Sequence, residues 1–438
     1  MKRFVSTLFV FALFFSATAF SQGWTFNGYF PDTTFKGGTG GHGIAVSPDG
    51  KVWAQLYGAT DSIKQANGTY GSVRDIYVWN SNGSKASFAP IQTVTVGGVT
   101  DTLWNSNRGM REDNNGNILF SSFDALYRVD YKTGAGMNKF LYPSGTGGQT
   151  LTAPAVDAAG DIFVAPVIPA NPIQIIGTDF SFTGNAVDST VGYSRTLEVS
   201  PDGNTIYWCG YTNNAVWVFT RSDIFSPYVI TDTVMKGFQC ESIGWNPVNG
   251  YLWASSGSNA GGLPNQYPGV TTSYTYPTWY AWDTKTWTVK DSIHWNLWTP
   301  TDDARPRGIA FSPDGNTAYV TCFGASTYPA IEKFTNPHPY TAVKNENPGV
   351  VTNYTLSQNY PNPFNPSTEI NYSVVKPGFV TLKVYDLLGK EVATLVNQNQ
   401  SSGNFTVNFN ANKLASGTYI YQLNVNGVVI SKKMTLLK

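Results

Sequence analysis

The chain has 438 residues, and its 28 basic and 28 acidic residues give a formal net charge of zero. Charged residues make up only 13% of it, which argues against nucleic-acid binding because that affinity comes from cationic neutralisation of phosphates. Three cysteines without metal-ligand spacing predict no metal or cofactor site.

Residues 1–21 predict a secretory signal peptide. Lys2 and Arg3 precede an apolar run, and small residues at Ala17, Ala19 and Ser21 suit cleavage. The run is shorter than the roughly 20 residues that a transmembrane helix needs, and no other segment is predicted to span a membrane. We therefore expect the rest of the chain to be exported.

A short hairpin recurs through residues 22–340. In each copy an apolar strand leads into a tight turn with glycine, and a second strand rich in β-formers follows. The turn glycines are Gly50, Gly116, Gly160, Gly203, Gly250 and Gly315, at intervals of 66, 44, 43, 47 and 65 residues. A period of about 40–45 residues of strand and turn is typical of β-propeller blades.

The two long intervals predict blades with insertions, so the count is six blades. A seventh blade could be built from residues 22–36 with a degenerate partner. The aromatic residues, 15% of the chain, are predicted mainly to fill the wedges between blades. Ser200–Tyr207 and Ser312–Tyr319 resemble YVTN-type repeats, and this resemblance implies a six- or seven-bladed propeller.

The composition changes after the propeller. Asn336–Pro348 has three prolines and no hydrophobic periodicity, and residues 341–353 are predicted to be a linker. Residues 354–438 contain short alternating strands, which favour a small Ig-like antiparallel β-sandwich. The predicted fold class is therefore all-β throughout, a propeller followed by a sandwich.

The C-terminal domain resembles the type A sorting domain of the type IX secretion system. The matching features are the Tyr-Pro-Asn-Pro-Phe-Asn-Pro-Ser-Thr segment ending at Thr368, Val384–Val392, Leu414–Tyr421 and the Lys-Lys-Met ending. The resemblance implies that the type IX machinery is a partner of this domain. It also implies that the protein is secreted or displayed on the outer surface of a Gram-negative bacterium.

The repeat register predicts a binding site at the mouth of the central channel. The innermost strand of each copy begins eight residues before the turn glycine, or nine residues before it in the longer fifth copy, and the residues at these positions are polar. This channel-mouth ring consists of His42, Arg108, Thr152, Arg195, Glu241 and Arg307. The alternative is a purely structural role, with arginine paired to Glu241 or to loop carbonyls. If the ring binds a ligand, guanidinium groups favour a carboxylate, sulfate or phosphate.

An aromatic-rich stretch in the fifth repeat predicts a second contact surface. Exposed tryptophan and tyrosine rings can stack on sugars, and the candidate glycan platform is Trp279, Tyr280, Trp282, Trp295 and Trp298. The alternative is that several of them are strand residues of the blade. All three cysteines, Cys209, Cys240 and Cys322, are interpreted as structural, and their odd number leaves at least one thiol free.

These observations favour a non-catalytic binding protein over an enzyme. Metal-dependent propeller lactonases use several oxygen ligands on the channel axis, whereas the ring supplies a single carboxylate, Glu241. A lyase that uses His42 with arginine neutralisation of a uronate is chemically coherent, but the spacing gives it no independent support. A propeller enzyme acting on polysaccharide or lactone stays the alternative, and the predicted ligand is an anionic small molecule or glycan.

Overall fold

The structure is a computed structural model, and it describes residues 23–143, 149–222, 226–257, 267, 269–270, 274–275, 277–296, 304–324, 327–338, 354–375, 378–400, 403–425 and 428–438. Throughout these ranges the regular structure is β-strand, and the sheets are antiparallel. The predicted signal peptide and residues 341–353 of the predicted linker lie outside the described residues.

The N-terminal strand belongs to the last blade. Strand β1 (Thr25–Tyr29) pairs antiparallel with residues Ile331–Thr335, more than 300 positions later in the chain. The alternative that residues 22–36 start a seventh blade is therefore wrong for this segment, since its strand completes the sixth. This pairing closes the ring by joining the two ends of the propeller in one sheet.

Blade 1 carries the insertions expected from the first long interval. Its strands are β2 (Gly41–Val46), β3 (Val52–Leu56), β4 (Asp61–Lys64), β5 (Tyr70–Val73), β6 (Ile76–Trp79), β7 (Thr93–Val96) and β8 (Val99–Thr102). The sheet itself has the order β2-β3-β6, and β4-β5 and β7-β8 are separate two-stranded hairpins.

The next four blades are four-stranded sheets in simple chain order. Blade 2 contains β9 (Met110–Glu112), β10 (Ile118–Ser122), β11 (Ala125–Val129) and β12 (Gly136–Leu141), and blade 3 contains β13 (Ala155–Val156), β14 (Ile162–Val164), β15 (Ile173–Ile176) and β16 (Phe182–Val187). Blade 4 contains β17 (Leu197–Val199), β18 (Thr205–Gly210), β19 (Ala215–Thr220) and β20 (Val229–Val234), and blade 5 contains β21 (Cys240–Trp245), β22 (Leu252–Ser256), β23 (Thr278–Asp283) and β24 (Thr288–His294).

Blade 6 completes the disc. It contains β25 (Arg305–Phe311), β26 (Thr317–Phe323) and β27 (Ile331–Thr335), with β1 as its outer strand. The first strands of neighbouring blades contact one another in the cycle β2, β9, β13, β17, β21, β25 and back to β2. The described residues therefore form a closed six-bladed propeller with these six strands around its axis.

The repeated turns have the predicted backbone. All six turn glycines have positive φ, between 68° and 89°. In the Ser-Pro-Asp-Gly copies the glycine N–H donates to the serine carbonyl, as Gly203 does to Ser200 at 2.8 Å. The serine hydroxyl also donates to the aspartate two residues on. In each blade the inner strand ends four residues before the turn glycine, or five residues before it in the longer fifth copy.

Apolar side chains fill the wedges between blades. Six separate clusters of buried residues each join two neighbouring blades. The largest fully buried side chains include Trp53, Trp208, Trp253, Trp279 and Trp295. Aromatic side chains are therefore a major component of the core between the blades.

The C-terminal domain is a two-sheet sandwich. Its strands are β28 (Thr355–Leu356), β29 (Ser367–Val374), β30 (Gly378–Tyr385), β31 (Glu391–Gln400), β32 (Gly403–Asn410), β33 (Gly417–Val425) and β34 (Val428–Leu436). One sheet has the order β28-β29-β32 and the other β31-β30-β33-β34. The buried Tyr421 hydroxyl donates to the Ser357 carbonyl and accepts from the Asn359 N–H, which ties the start of the domain to β33.

Candidate functional site

Three of the predicted ring residues lie at β-bulges in the inner strands. The pairing register shifts between Gly41 and Gly43, between Cys240 and Ile243, and between Pro306 and Ile309. The residues at these shifts include His42, Glu241 and Arg307. A β-bulge bends its strand and redirects a side chain, so the same irregularity in three blades turns polar groups away from the inter-blade core.

Glu241 is the buried centre of the site. Both of its carboxylate oxygens accept hydrogen bonds from Nη1 of Arg195, and Nη1 of Arg307 lies 3.7 Å from Oε2. The Glu241 side chain is fully buried, whereas that of Arg195 is 22% exposed. This carboxylate from blade 5 therefore joins arginines of blades 4 and 6.

An aromatic side chain lies against each arginine. The guanidinium carbon of Arg195 is 4.3 Å from the centre of the Tyr211 ring, that of Arg307 is 5.1 Å from Phe323, and that of Arg108 is 5.5 Å from Tyr57. Such distances allow cation–π attraction. The rings of Tyr57 and Phe323 also contact each other edge to face, with centroids 5.0 Å apart.

His42 completes what we call the arginine cluster, namely His42, Arg108, Arg195, Glu241 and Arg307. Its ring is buried, with its centroid 5.4 Å from that of Tyr57. Burial, and then the charges of Arg108, Arg307 and Arg195, hold the pKa of His42 well below its ordinary value of 6.5. His42 is therefore neutral at physiological pH, because burial disfavours its charged form and the positive field of the three arginines acts in the same direction.

Arg108 contributes to that field. Burial and the charge of Arg195 lower the pKa of Arg108, while a hydrogen bond to Tyr57 opposes this change. Its Nε is buried without a hydrogen-bond partner among the described residues, as are Nδ1 of His42 and the side-chain amide of Asn107. Buried polar groups in proteins are normally hydrogen-bonded. A ligand that supplied hydrogen-bond partners to these groups would therefore be stabilised most on this side of the cluster.

Thr152 differs from the rest of the predicted ring. Its hydroxyl is buried and accepts a hydrogen bond from the Ala165 N–H at 3.3 Å within blade 3. The structure therefore gives this side chain a role in pairing its own blade.

The predicted glycan platform is wrong for three of its five residues. Trp279, Trp282 and Trp295 are buried, because β23 is the third strand of blade 5 and its neighbours pack in the wedges between blades. A buried ring cannot stack on a sugar. Tyr280 is half-buried and its hydroxyl accepts from the Thr275 N–H, and Trp298 lies outside the described residues.

The aromatic partners of the arginines were missed from the sequence. Tyr57 lies seven residues after its turn glycine, and Tyr211 and Phe323 lie eight residues after theirs. These positions follow or end the second strand of the blade. The repeat register that located the arginines could have found them, had it been applied to the second strand as well as to the first.

A cavity of about 210 Å³ lies further along the axis and has residues of all six inner strands or their ends in its wall. Nε of Arg111 lies 3.3 Å from Oε2 of Glu198 across it. Glu112 also lines it, and burial together with Asp113 and Asp49 raises the pKa of Glu112 to about 7. Two carboxyl groups thus accompany a single arginine here, so this cavity lacks the excess of positive charge found in the arginine cluster.

We expect acid to destabilise the propeller through His42. Its folded pKa lies below the unfolded value of about 6.5, so below pH 6.5 the unfolded chain binds the extra proton and stability falls as the pH is lowered. The loss is about 1.4 kcal/mol per pH unit until the folded pKa is reached. Urea unfolding of the wild type and of His42→Asn at pH 7.5 and 5.0 measures it.

The matched control is His294→Asn, because the pKa of His294 is lowered by burial alone and this residue lies at the end of β24. His42→Asn should remove more of the pH dependence than His294→Asn does. Equal slopes for wild type and His42→Asn would contradict a neutral, buried His42.

The fold is that of a β-propeller protein with a C-terminal β-sandwich. Residues 358–436 match the family of the secretion system C-terminal sorting domain. The chain is therefore handled by the type IX secretion system and delivered to the cell surface or released.

Solved structures similar to the chain are β-propeller proteins. PorZ of Porphyromonas gingivalis, described as an essential surface component of the type IX secretion system, matches 90% of this chain at 11% identity with a TM-score of 0.39; the match spans about half (51%) of PorZ. Regucalcin of Agrobacterium tumefaciens, described as calcium-binding, matches 70% of this chain and 93% of its own at 12% identity with a TM-score of 0.46.

A putative gluconolactonase matches 72% of this chain and 97% of its own at 12% identity with a TM-score of 0.45. Comparison with curated proteins gives no match. Within the described ranges, no helix has the length and apolar character needed to cross a membrane.

Proposed function

We propose that this exported propeller is a non-catalytic binding protein that takes an anionic ligand at the arginine cluster. The observation that carries the proposal is that Arg195 and Arg307 pair with the buried Glu241 while Arg108 adds a third positive charge close to Arg195. Planar guanidinium groups in a site of low dielectric suit a carboxylate, sulfate or phosphate.

An acidic glycan fits this site better than a bare inorganic ion. Tyr211 and Tyr193 lie 6.3 Å apart beside Arg195, and Tyr193 is 43% exposed. Aromatic faces at the rim can pack against a sugar ring while the arginines hold its acidic group. Delivery to the cell surface or the medium places the protein among such glycans.

Arg108→Met is the sharpest test of the proposal. Arg195 and Arg307 support Glu241, so their removal would leave a buried carboxylate with fewer partners, whereas the described ion pairs do not include Arg108. Met keeps an unbranched aliphatic side chain and removes the guanidinium that faces Tyr57. Loss of one charge-assisted hydrogen bond predicts binding about tenfold to a hundredfold weaker.

The measurement is calorimetry with inorganic sulfate and with a panel of uronate-containing and sulfated oligosaccharides. Arg74→Met is the control, because that guanidinium donates to the Trp104 carbonyl away from the cluster. No binding of any acidic probe by the wild type, or equal affinity in wild type and Arg108→Met, would contradict the proposal.

A polysaccharide lyase is the second candidate, and the neutral His42 favours it. An imidazole with a low pKa is a base at physiological pH, and neighbouring arginines could neutralise a uronate carboxylate during removal of the adjacent proton. β-Elimination creates a conjugated double bond. Ultraviolet absorbance that grows when the wild type, but not His42→Asn, is incubated with uronate oligosaccharides would establish this activity in place of simple binding.

A further inference from the structure

Two buried cysteines from neighbouring blades meet directly behind the arginine cluster. Cys209 lies in β18 of blade 4, and Cys240 is the first residue of β21 in blade 5. Neither is exposed, and their sulfur atoms are 2.9 Å apart. A disulfide bond is roughly 2.05 Å long, so a small side-chain movement separates this contact from a covalent bond.

The backbone around the pair is already fixed on both sides. The Cys209 N–H donates to the Thr196 carbonyl at 3.4 Å, and Cys240 pairs with Ser256 in its own sheet. Two strands from different blades therefore present their thiols to each other as part of the inter-blade packing. The third cysteine, Cys322, lies in β26 of blade 6.

The environment outside the cytoplasm favours disulfide formation. A protein sorted by the type IX system leaves the cytoplasm, and disulfides form and persist in the oxidising envelope and outside the cell. We propose that Cys209 and Cys240 form a disulfide in the exported protein that covalently joins blade 4 to blade 5.

The bond forms by exchange with a disulfide-bearing thiol oxidoreductase. The thiolate of one cysteine attacks the disulfide of the oxidant and releases one of its thiols, and the second cysteine then displaces the other. The two protein sulfurs lose two electrons and two protons, and the oxidant is reduced to a dithiol. Burial raises the pKa of the Cys209 thiol, so the exchange takes place before the blades close around the pair.

The position of the disulfide links it to the arginine cluster without depending on the proposed ligand. Cys240 precedes Glu241, and the Thr196 carbonyl that accepts from Cys209 follows Arg195. A covalent bond at this point keeps the strands carrying Arg195 and Glu241 at a fixed separation. The disulfide therefore acts as a clamp behind the buried ion pair.

The test is a count of thiols in the full-length protein exported from a type IX-competent host. The protein is unfolded in an alkylating reagent without reductant, and its mass is measured. We expect one alkylated thiol of the three, at Cys322, and a proteolytic peptide pair joined through Cys209 and Cys240. Three alkylated thiols, or a bridge that involves Cys322, would overturn the proposal.

Single substitutions keep the result interpretable. Cys322→Ala should leave no thiol to alkylate, whereas Cys209→Ala should leave two, at Cys240 and Cys322. Reduction of the wild type should lower the urea midpoint, and reduction of Cys209→Ala should not. An equal response of the two proteins to the reductant would also count against the clamp, even if Cys209→Ala folds poorly.

Discussion

Replacement of Glu241 by alanine is expected to destabilise the propeller by about 3–5 kcal/mol, since removal of one member of a buried ion pair leaves an uncompensated charge. Glu241 is fully buried between Arg195 and Arg307. Without it the two guanidinium groups repel each other across the interfaces of blades 4, 5 and 6. Urea unfolding at pH 7.5 measures the change.

Two controls separate the charge from the packing. Glu241→Gln retains the shape and one acceptor, and it should cost less than alanine. Lys290→Ala removes a partly exposed ion pair with Asp283 in the same blade, where the nitrogen and oxygen are 3.8 Å apart, and should cost less than about 1 kcal/mol.

An anion should rescue the alanine variant. If the arginine cluster binds anions, sulfate will raise the urea midpoint of Glu241→Ala more than chloride does at equal ionic strength, because sulfate can occupy the position of the lost carboxylate. An unchanged midpoint in Glu241→Ala would show that the buried pair contributes nothing. A loss of stability that sulfate does not reverse would support the stabilising role of the ion pair but argue against anion binding.

The blade architecture could be predicted because its signals are local. The turn at Ser312–Gly315 and the five equivalent turns are specified by glycine and by side chains within four residues. Their spacing therefore predicts the number of blades and the end of each inner strand. The same register identifies His42, Arg108, Arg195, Glu241 and Arg307 as polar residues at the start of the inner strands. Closure by β1 was not predictable in this way, because its partner lies more than 300 residues away.

The glycan platform was wrongly predicted because the sequence does not show which way a strand's side chains point. Trp279 and Trp282 lie on a strand, and which face of that strand is covered depends on the neighbouring blades, which the local sequence does not describe. Thr152 has the expected position in the repeat, but its hydroxyl accepts a hydrogen bond from the Ala165 N–H of its own blade. Residue type alone distinguishes neither case.

Gly40→Ala is expected to disrupt the closure of the ring and to cost about 2–5 kcal/mol in unfolding free energy, the sum of a left-handed backbone and an overpacked contact. Gly40 has φ of +85°, and an added Cβ would lie within 3.0 Å of the Cys322 carbonyl oxygen. That oxygen is backbone of blade 6, so relief of the contact must move β26 away from blade 1. The Gly40 carbonyl also accepts from the Tyr57 N–H at 3.1 Å, so the aromatic side of the arginine cluster moves with it.

Gly68→Ala isolates the steric part of this cost. Gly68 has nearly the same φ, +84°, but a Cβ there meets no atom within 4 Å. Its substitution carries only the backbone penalty, so the difference between the two unfolding free energies measures the contact between blades 1 and 6. If both substitutions cost the same, the chain around Gly40 relaxes freely and the two blades are not held in tight contact at this point. The other outcome is that Gly40→Ala costs more than Gly68→Ala and also weakens sulfate binding. In that case the close approach of Gly40 to the Cys322 carbonyl supports both the closure of the ring and the geometry of the arginine cluster.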